Sequence, residues 1–214
     1  LWIGTRRGVA LLRDDQLETP EVLAPMRSAQ INGIVRDRAG ALWFATTQGL
    51  FRQRRDGLDK LGVEQGFRDL RMRVLLETRD GRMLVGTQSG LYEVVGDRAT
   101  PLGLATGLRS DLDITAIHEL DDGKLVIGAL SEEIFLFDGQ RWTTFGHGSG
   151  IPVNSAFFIT HDRSGFLWVA GLRGIHRVPV DDLLAVAEGR ATQVRGEMLL
   201  NERGDRRGGQ KGYC

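Results

Sequence analysis

The chain has 214 residues, 41% hydrophobic and 26% charged, which is enough apolar content to bury a sizeable core and too much for a disordered segment. Its 28 lysines and arginines balance 28 aspartates and glutamates, so no net field draws it to nucleic acid or to an anionic membrane, and neither partner is expected. The single cysteine, Cys214, excludes an internal disulfide framework and a cysteine-rich zinc site, and no run reaches the ~18 apolar residues of a membrane span.

The chain opens on Leu1-Trp2-Ile3-Gly4-Thr5, and this apolar run returns four times: Leu42-Trp43-Phe44-Ala45-Thr46, Met83-Leu84-Val85-Gly86-Thr87, Leu125-Val126-Ile127-Gly128-Ala129 and Leu167-Trp168-Val169-Ala170-Gly171. The first residues stand 41, 41, 42 and 42 positions apart, a period that points to solenoids, propellers or arrays. The chain opens inside a repeat and has no initiating methionine, so we expect it to be a piece of a longer protein.

Within the second copy, Ile31 to Asp37 reads as a strand and Arg38-Ala39-Gly40 as a turn, with a second, aromatic and apolar strand from Ala41 to Thr46. Thr47-Gln48-Gly49 turns into a third strand, Leu50 to Arg55, and Asp56-Gly57, a strong hairpin signal, leads to a fourth, Leu58 to Gly62. The punctuation recurs at Arg79-Asp80-Gly81, Asp121-Asp122-Gly123 and Arg163-Ser164-Gly165, and again at Gly96-Asp97 and Asp138-Gly139. These pairs are read as turn chemistry. The basic run Arg52-Gln53-Arg54-Arg55 is read as a solvated strand face.

Units of four antiparallel strands at this period predict an all-β chain, a β-propeller of about five blades whose ring is incomplete. The blades are expected over residues 1–27 (partial), 28–70, 71–112, 113–154 and 155–200, with an Arg/Gly-rich tail at 201–214 where the next copy would begin. One helical stretch is predicted, Asp181 to Glu188, inserted between the third and fourth strands of the last unit and ended by Gly189. Trp2, Trp43 and Trp168, with Leu84 and Val126 in phase, are predicted to fill the wedge between neighbouring blades, at about 1.5–3 kcal/mol for each aromatic buried.

The repeat resembles the two-component regulator propeller repeat: an apolar strand, Asp-x-x-Gly, Leu-Trp-Ile-Gly-Thr, x-x-Gly-Leu, a short strand, an aromatic residue and Gly-Leu or Gly-Ile. The last full copy carries it best, from Arg141-Trp142-Thr143-Thr144-Phe145 through Gly150-Ile151-Pro152 and Asn154 to Asp162-Arg163-Ser164-Gly165-Phe166-Leu167-Trp168-Val169, and the resemblance covers about residues 1–180. It implies the periplasmic or extracytoplasmic sensor part of a bacterial receptor anchored in the inner membrane. Kinase, response-regulator or diguanylate cyclase modules would lie elsewhere in the parent chain, and a homodimer is among the expected partners. The third and fourth copies depart from the pattern by lacking tryptophan, and Ser131-Glu132-Glu133 replaces a glycine turn.

In a propeller, the loops between blades and the turns between second and third strands share the face that rims the channel. The inter-blade loops run from Val63 to Leu70, Leu104 to Asp113 and Gly146 to Asn154. Candidate ligand-binding residues on that face are Arg68, Asp69, Arg71, Arg109, Asp111, Asp113 and Asn154, with Arg7, Gln48, Gln88, Glu132 and Arg173 from the shorter turns. Carboxylates, guanidiniums and amides together suit a small polar ligand, sugar- or peptide-like. Neither a cofactor nor a metal is expected, and no catalytic residue is assigned. An interaction scaffold is the alternative, and a streptogramin-lyase-like enzyme stands third, with His118 and His161 near the ends of first strands as its opening. Adjacent strand residues face opposite ways, which argues against pairing His118 with Glu119.

Overall fold

A computed structural model describes residues 1–151 and 153–201, Leu104 and Asn201 by backbone alone. Pro152 and the expected Arg/Gly-rich tail from residue 202 lie outside the described residues. Residues 1–114 and those from 115 onward form two compact units.

The first unit holds three antiparallel sheets, each a simple meander. The first is β1 (Trp2–Thr5), β2 (Gly8–Arg13) and β3 (Gln16–Glu18). The second is β4 (Ile31–Arg36), β5 (Leu42–Thr46), β6 (Gly49–Arg54) and β7 (Gly57–Leu61), and the third is β8 (Met72–Glu77), β9 (Met83–Thr87), β10 (Gly90–Val95) and β11 (Arg98–Pro101). In the second unit, β12 (Ile114–Glu119), β13 (Leu125–Ala129), β14 (Ile134–Phe137) and β15 (Trp142–Phe145) form one sheet. The other consists of β16 (Ala156–His161), β17 (Phe166–Gly171), β18 (Gly174–Pro179) and β19 (Glu197–Asn201). The recurrent apolar run is the second strand of each four-stranded sheet, as its phase predicts.

Turn chemistry sets these meanders. In the second sheet Asp37 sits at the head of the β4–β5 turn, where Oδ1 accepts from Ala41 N at 2.8 Å and Oδ2 accepts from the Trp43 indole Nε1 at 2.7 Å. Asp162 repeats this, accepting from Ser164 N, Phe166 N and Trp168 Nε1. Those bonds, the Trp168 one foremost, hold the Asp162 carboxyl below the ordinary aspartate range. Where the tryptophan is replaced, so is the aspartate: Thr78 precedes Leu84, and Leu120 precedes Val126. The aspartate thus serves both the turn and the indole.

Apolar faces pack sheet against sheet within each unit. Trp43, 5% exposed, joins Leu75, Val85 and Tyr92 of the third sheet in one core. Trp2 meets Phe44 edge to face, with centroids 6.3 Å apart. Leu84 and Val126, the residues in phase with the tryptophans, are fully buried. Trp168 departs from the expectation: it is only half-buried, because no described sheet of its unit covers that face of β17.

Arg52 is a second departure. It is not on a solvated face but 5% exposed, stacked 5.0 Å over the Trp43 ring, with Nη1 donating to Gly96 O at 2.7 Å and Nη2 to Asp59 and Asp97. The turn of the neighbouring sheet closes over it, while Arg54, two residues on, stays half exposed against Asp59.

The predicted helix is present as α1 (Val180–Ala187), with Leu183 and Ala187 in the core of the second unit and Gly189 following at φ +75°. Asp181 and Asp182 occupy its first turn, where the helix dipole favours negative charge. Arg195 forks onto Asp182 at 2.7 and 2.9 Å and holds its carboxyl at about 2. Short 3-10 turns, which the sequence did not predict, occupy Glu21–Met26, Val63–Gln65, Leu104–Thr106 and His147–Ser149 in the loops.

Candidate functional site

The innermost strands carry an irregularity that decides which side chains leave the sheets. Register slips between Ile31 and Gly33, between Met72 and Val74, and between Ala156 and Phe158 leave Asn32, Arg73 and Phe157 as the extra residues of β-bulges. A bulge re-aims the side chain it carries. Asn32 Nδ2 donates to Met72 O at 2.7 Å and accepts at Oδ1 from Gln30 Nε2 at 3.0 Å. Arg73 forks onto Asp113, Nε to Oδ1 at 2.9 Å and Nη2 to Oδ2 at 2.7 Å.

Beside this pair lies a second one. Arg71 donates from its backbone N to Asp69 Oδ1 at 2.7 Å, and from Nε and Nη2 to the two carboxylate oxygens at 3.0 and 2.6 Å. These bonds, with a further one from Ser89, hold the Asp69 carboxyl below the ordinary range. Asp69 together with Asp113 raises the Arg71 guanidinium, so the two ion pairs share one field. The carboxylates are the shielded partners: the Asp69 side chain is 13% exposed and that of Asp113 14%, against 54% for Arg71. Gln88 donates its backbone N–H to Arg71 O at 3.1 Å, and its buried Oε1 has no hydrogen-bond partner. Asp69, Arg71, Arg73, Gln88 and Asp113 therefore form one polar cluster on the loop side of the third sheet. Its exposed part is guanidinium N–H groups, while the Gln88 amide oxygen lies buried.

Other predicted residues stand apart from it. Gln48 donates to Ser28 Oγ at 3.1 Å, Arg109 pairs with Asp111 at 3.1 Å with both side chains exposed, and Arg7 and Arg68 point to solvent. In the second unit, Arg173 and Glu132 are exposed, and Asn154 Oδ1 accepts from Ser155 Oγ at 3.1 Å. Asn32 and Arg73 were missed by sequence reasoning. The available signal was a polar residue second in an otherwise apolar strand, at Ile31-Asn32-Gly33 and Met72-Arg73-Val74.

The second unit holds a distinct cluster. His118 Nε2 and His161 Nδ1 lie 2.6 Å apart, and His161 Nε2 faces Asp121 Oδ2 at 3.2 Å. His118 thus meets a histidine one repeat later. The contact is an N–H···N hydrogen bond whose donor is set by the tautomers of the two rings. A cavity of about 240 Å³ lined by Asp121, Asp122, His161, Asp162, Arg163 and Asp181 adjoins the pair. Among the described residues, no group of three or more His, Cys, Asp or Glu is placed to hold a metal ion. Nor is any helix among them long and apolar enough to cross a membrane.

No protein-family model matches the chain, and no curated protein matches it by sequence. Solved structures do match. The extracellular domain of the hybrid two component system BT3049 from B. thetaiotaomicron superposes with a TM-score of 0.69 at 18% identity, over 83% of this chain and 25% of that one. That of BT4673 from the same organism gives 0.67 at 18%, over 82% and 25%. Virginiamycin B lyase from Staphylococcus aureus gives 0.65 at 14%, over 92% and 66%. The chain spans a quarter of the length of the sensor domains it matches. Its all-β sheets are thus propeller blades, and the chain is a partial β-propeller sharing the fold of the extracellular propellers of two-component regulators.

Proposed function

We propose that the chain is part of the ligand-sensing propeller of a bacterial signalling receptor, held on the extracytoplasmic side, with its output modules elsewhere in the parent polypeptide. The observation that carries this reading is the Asp69, Arg71, Arg73 and Asp113 cluster, whose two guanidinium forks, Arg73 on a bulged strand and Arg71 just before it, are held by shielded loop carboxylates in a sensor-like fold. Such a pre-arranged set of N–H donors suits a small polar ligand, sugar- or peptide-like. In the parent receptor, ligand would act by shifting the population of two arrangements of paired subunits.

The test is a thermal-shift and calorimetric screen of oligosaccharides and short peptides against the wild type and against Arg73→Ala and Asp113→Asn. A ligand whose binding both variants weaken supports the reading. Equal binding by both variants, or no ligand across the screen, refutes it.

A second reading rests on the His118–His161 pair with Asp121, a hydrogen-bonded pair of imidazoles beside a cavity in a fold also used by lyases of type B streptogramins. Turnover of quinupristin that is abolished by His118→Ala and His161→Ala would establish it, and absence of turnover would remove it.

A further inference from the structure

The polar cluster on the third sheet turns its donors outward and its acceptors inward. Asp69 accepts from the Arg71 backbone N, Nε and Nη2 and from Ser89, which takes up roughly all four acceptor sites of a carboxylate. Asp113 takes Nε and Nη2 of Arg73. The two carboxylate side chains are the shielded partners, whereas that of Arg71 is 54% exposed and that of Arg73 32%. Both forks use the Nε edge of the guanidinium, so Nη1 of each arginine is left over. Among the described residues, neither Nη1 has a hydrogen-bond partner.

This edge is not one left open by a terminal sheet. β4 of the second sheet packs beside β8, with Asn32 donating to Met72 O, and Asp113 comes from the loop that leads into β12. One repeat earlier the positions of Arg71 and Arg73 hold Gln30 and Asn32, 41 residues back, and there the two amides bond to each other. The third sheet therefore puts two guanidiniums where the second puts neutral amides.

The chemistry of the edge selects its complement. A neutral sugar hydroxyl has a proton to donate, and the Asp69 acceptors are already filled. A carboxylate accepts at both oxygens, donates nothing, and matches the planar guanidinium edge. Arg68, exposed on the same loop, brings the guanidiniums to three against the two carboxylates of Asp69 and Asp113, so the loop edge is net positive.

We propose that the group read at this site is a carboxylate, carried by an acidic sugar or by the C-terminus of a peptide. The proposal rests on the ligand-sensing reading above and narrows it to one functional group. Arg71 and Arg73 take the carboxylate through their outward N–H groups, while Asp69 and Asp113 hold the guanidiniums from behind.

Calorimetric titration with matched pairs tests it. Trigalacturonate and a hyaluronan tetrasaccharide are each compared with their methyl esters, and Ala-Ala-Ala with its C-terminal amide; the arm that binds tells the sugar source from the peptide source. At least one free acid is expected to bind, with masking of its carboxylate weakening binding by at least about tenfold, the share of one or two charge-assisted hydrogen bonds. Arg71→Gln and Arg73→Gln should each weaken the acid by a similar factor, whereas Arg54→Gln, the same charge change on another sheet, should leave it unchanged. The comparison of acid with ester in the wild type requires no variant to fold. A free acid and its masked form bound equally, with both weakened by Arg73→Gln, would overturn the carboxylate and leave the ligand-sensing reading standing. Binding of none of the acids, or equal weakening by Arg54→Gln, would overturn it too, and the neutral sugars and peptides of the wider screen then decide the ligand-sensing reading separately.

Discussion

Replacing Asp37 by alanine removes two bonds at once, and their surroundings set the cost. The Trp43 indole N–H, on a ring 5% exposed, loses its acceptor at 2.7 Å; an orphaned buried donor costs about 1–3 kcal/mol. The Ala41 backbone N–H loses its bond at 2.8 Å, worth about 0.5–1.5 kcal/mol more. Asp37→Ala should therefore destabilise by about 2–4 kcal/mol, read as a shift in urea midpoint by far-ultraviolet circular dichroism at unchanged slope. Trp43→Phe removes the indole that needs the carboxylate, so the double mutant should recover a coupling of about 1–2 kcal/mol. Asp162→Ala, whose Trp168 is half-buried and open to water, should cost less than Asp37→Ala. Zero coupling in the cycle, or an equal loss at the two aspartates, would refute the claim that this residue serves the tryptophan as well as the turn.

Four further outcomes follow from the same structure. Gly66 has φ +111° and a Cβ there would stand 2.3 Å from Ala99 O, so Gly66→Ala should cost at least about 2 kcal/mol, against about 1 kcal/mol for Gly40→Ala, at φ +89° in open space; denaturant midpoints compare them. Arg52→Ala, which takes the Nη1 donor from Gly96 O and uncovers the Trp43 ring, should destabilise by about 1–3 kcal/mol in the same assay. His176 is 2% exposed with no partner for Nε2, and burial lowers its pKa, so the unfolded chain takes up its proton first. Stability should then fall as pH drops below about 6.5, by up to about 1.4 kcal/mol per pH unit, and His176→Phe should flatten the melting temperature over that range. The Asp182 carboxyl, held at about 2 by Arg195, contributes stability that is complete above about pH 4 and lost as pH falls toward 2; Arg195→Ala should lower the melting temperature at neutral pH and have no effect near pH 2.

What the sequence made legible is local. Gly40 and Asp56-Gly57 declare reversals because few residues adopt those dihedrals, and the apolar runs between them read as strands without knowledge of their neighbours. The helix after Pro179 was legible for the same reason, since its Leu and Ala residues and its terminal Gly189 lie within ten positions. What escaped depends on the next repeat. Arg52 looked solvated because the turn that buries it lies 44 residues on, and Arg73 looked like a strand residue because Asp113 is 40 residues away. His118 was judged against Glu119, its chain neighbour, although its partner is His161, 43 residues later. Composition within one unit carries no information about which residue of the following unit stands opposite. The polar cluster was therefore named only in part, through its loop members Asp69, Arg71, Gln88 and Asp113.

The bulges on the innermost strands separate two tasks within one repeat. The residues flanking them, Ile31, Met72 and Ala156, are buried and cannot change without cost. The inserted positions carry asparagine, arginine and phenylalanine in turn, and the second residue of β12, Thr115, adds a hydroxyl that donates to Ala156 O at 2.5 Å. Four chemically unrelated side chains thus occupy one address on a constant backbone. The side chain at that address reaches outward, in two cases to the backbone of the next sheet, so it can change in chemistry while the buried residues beside it stay in place.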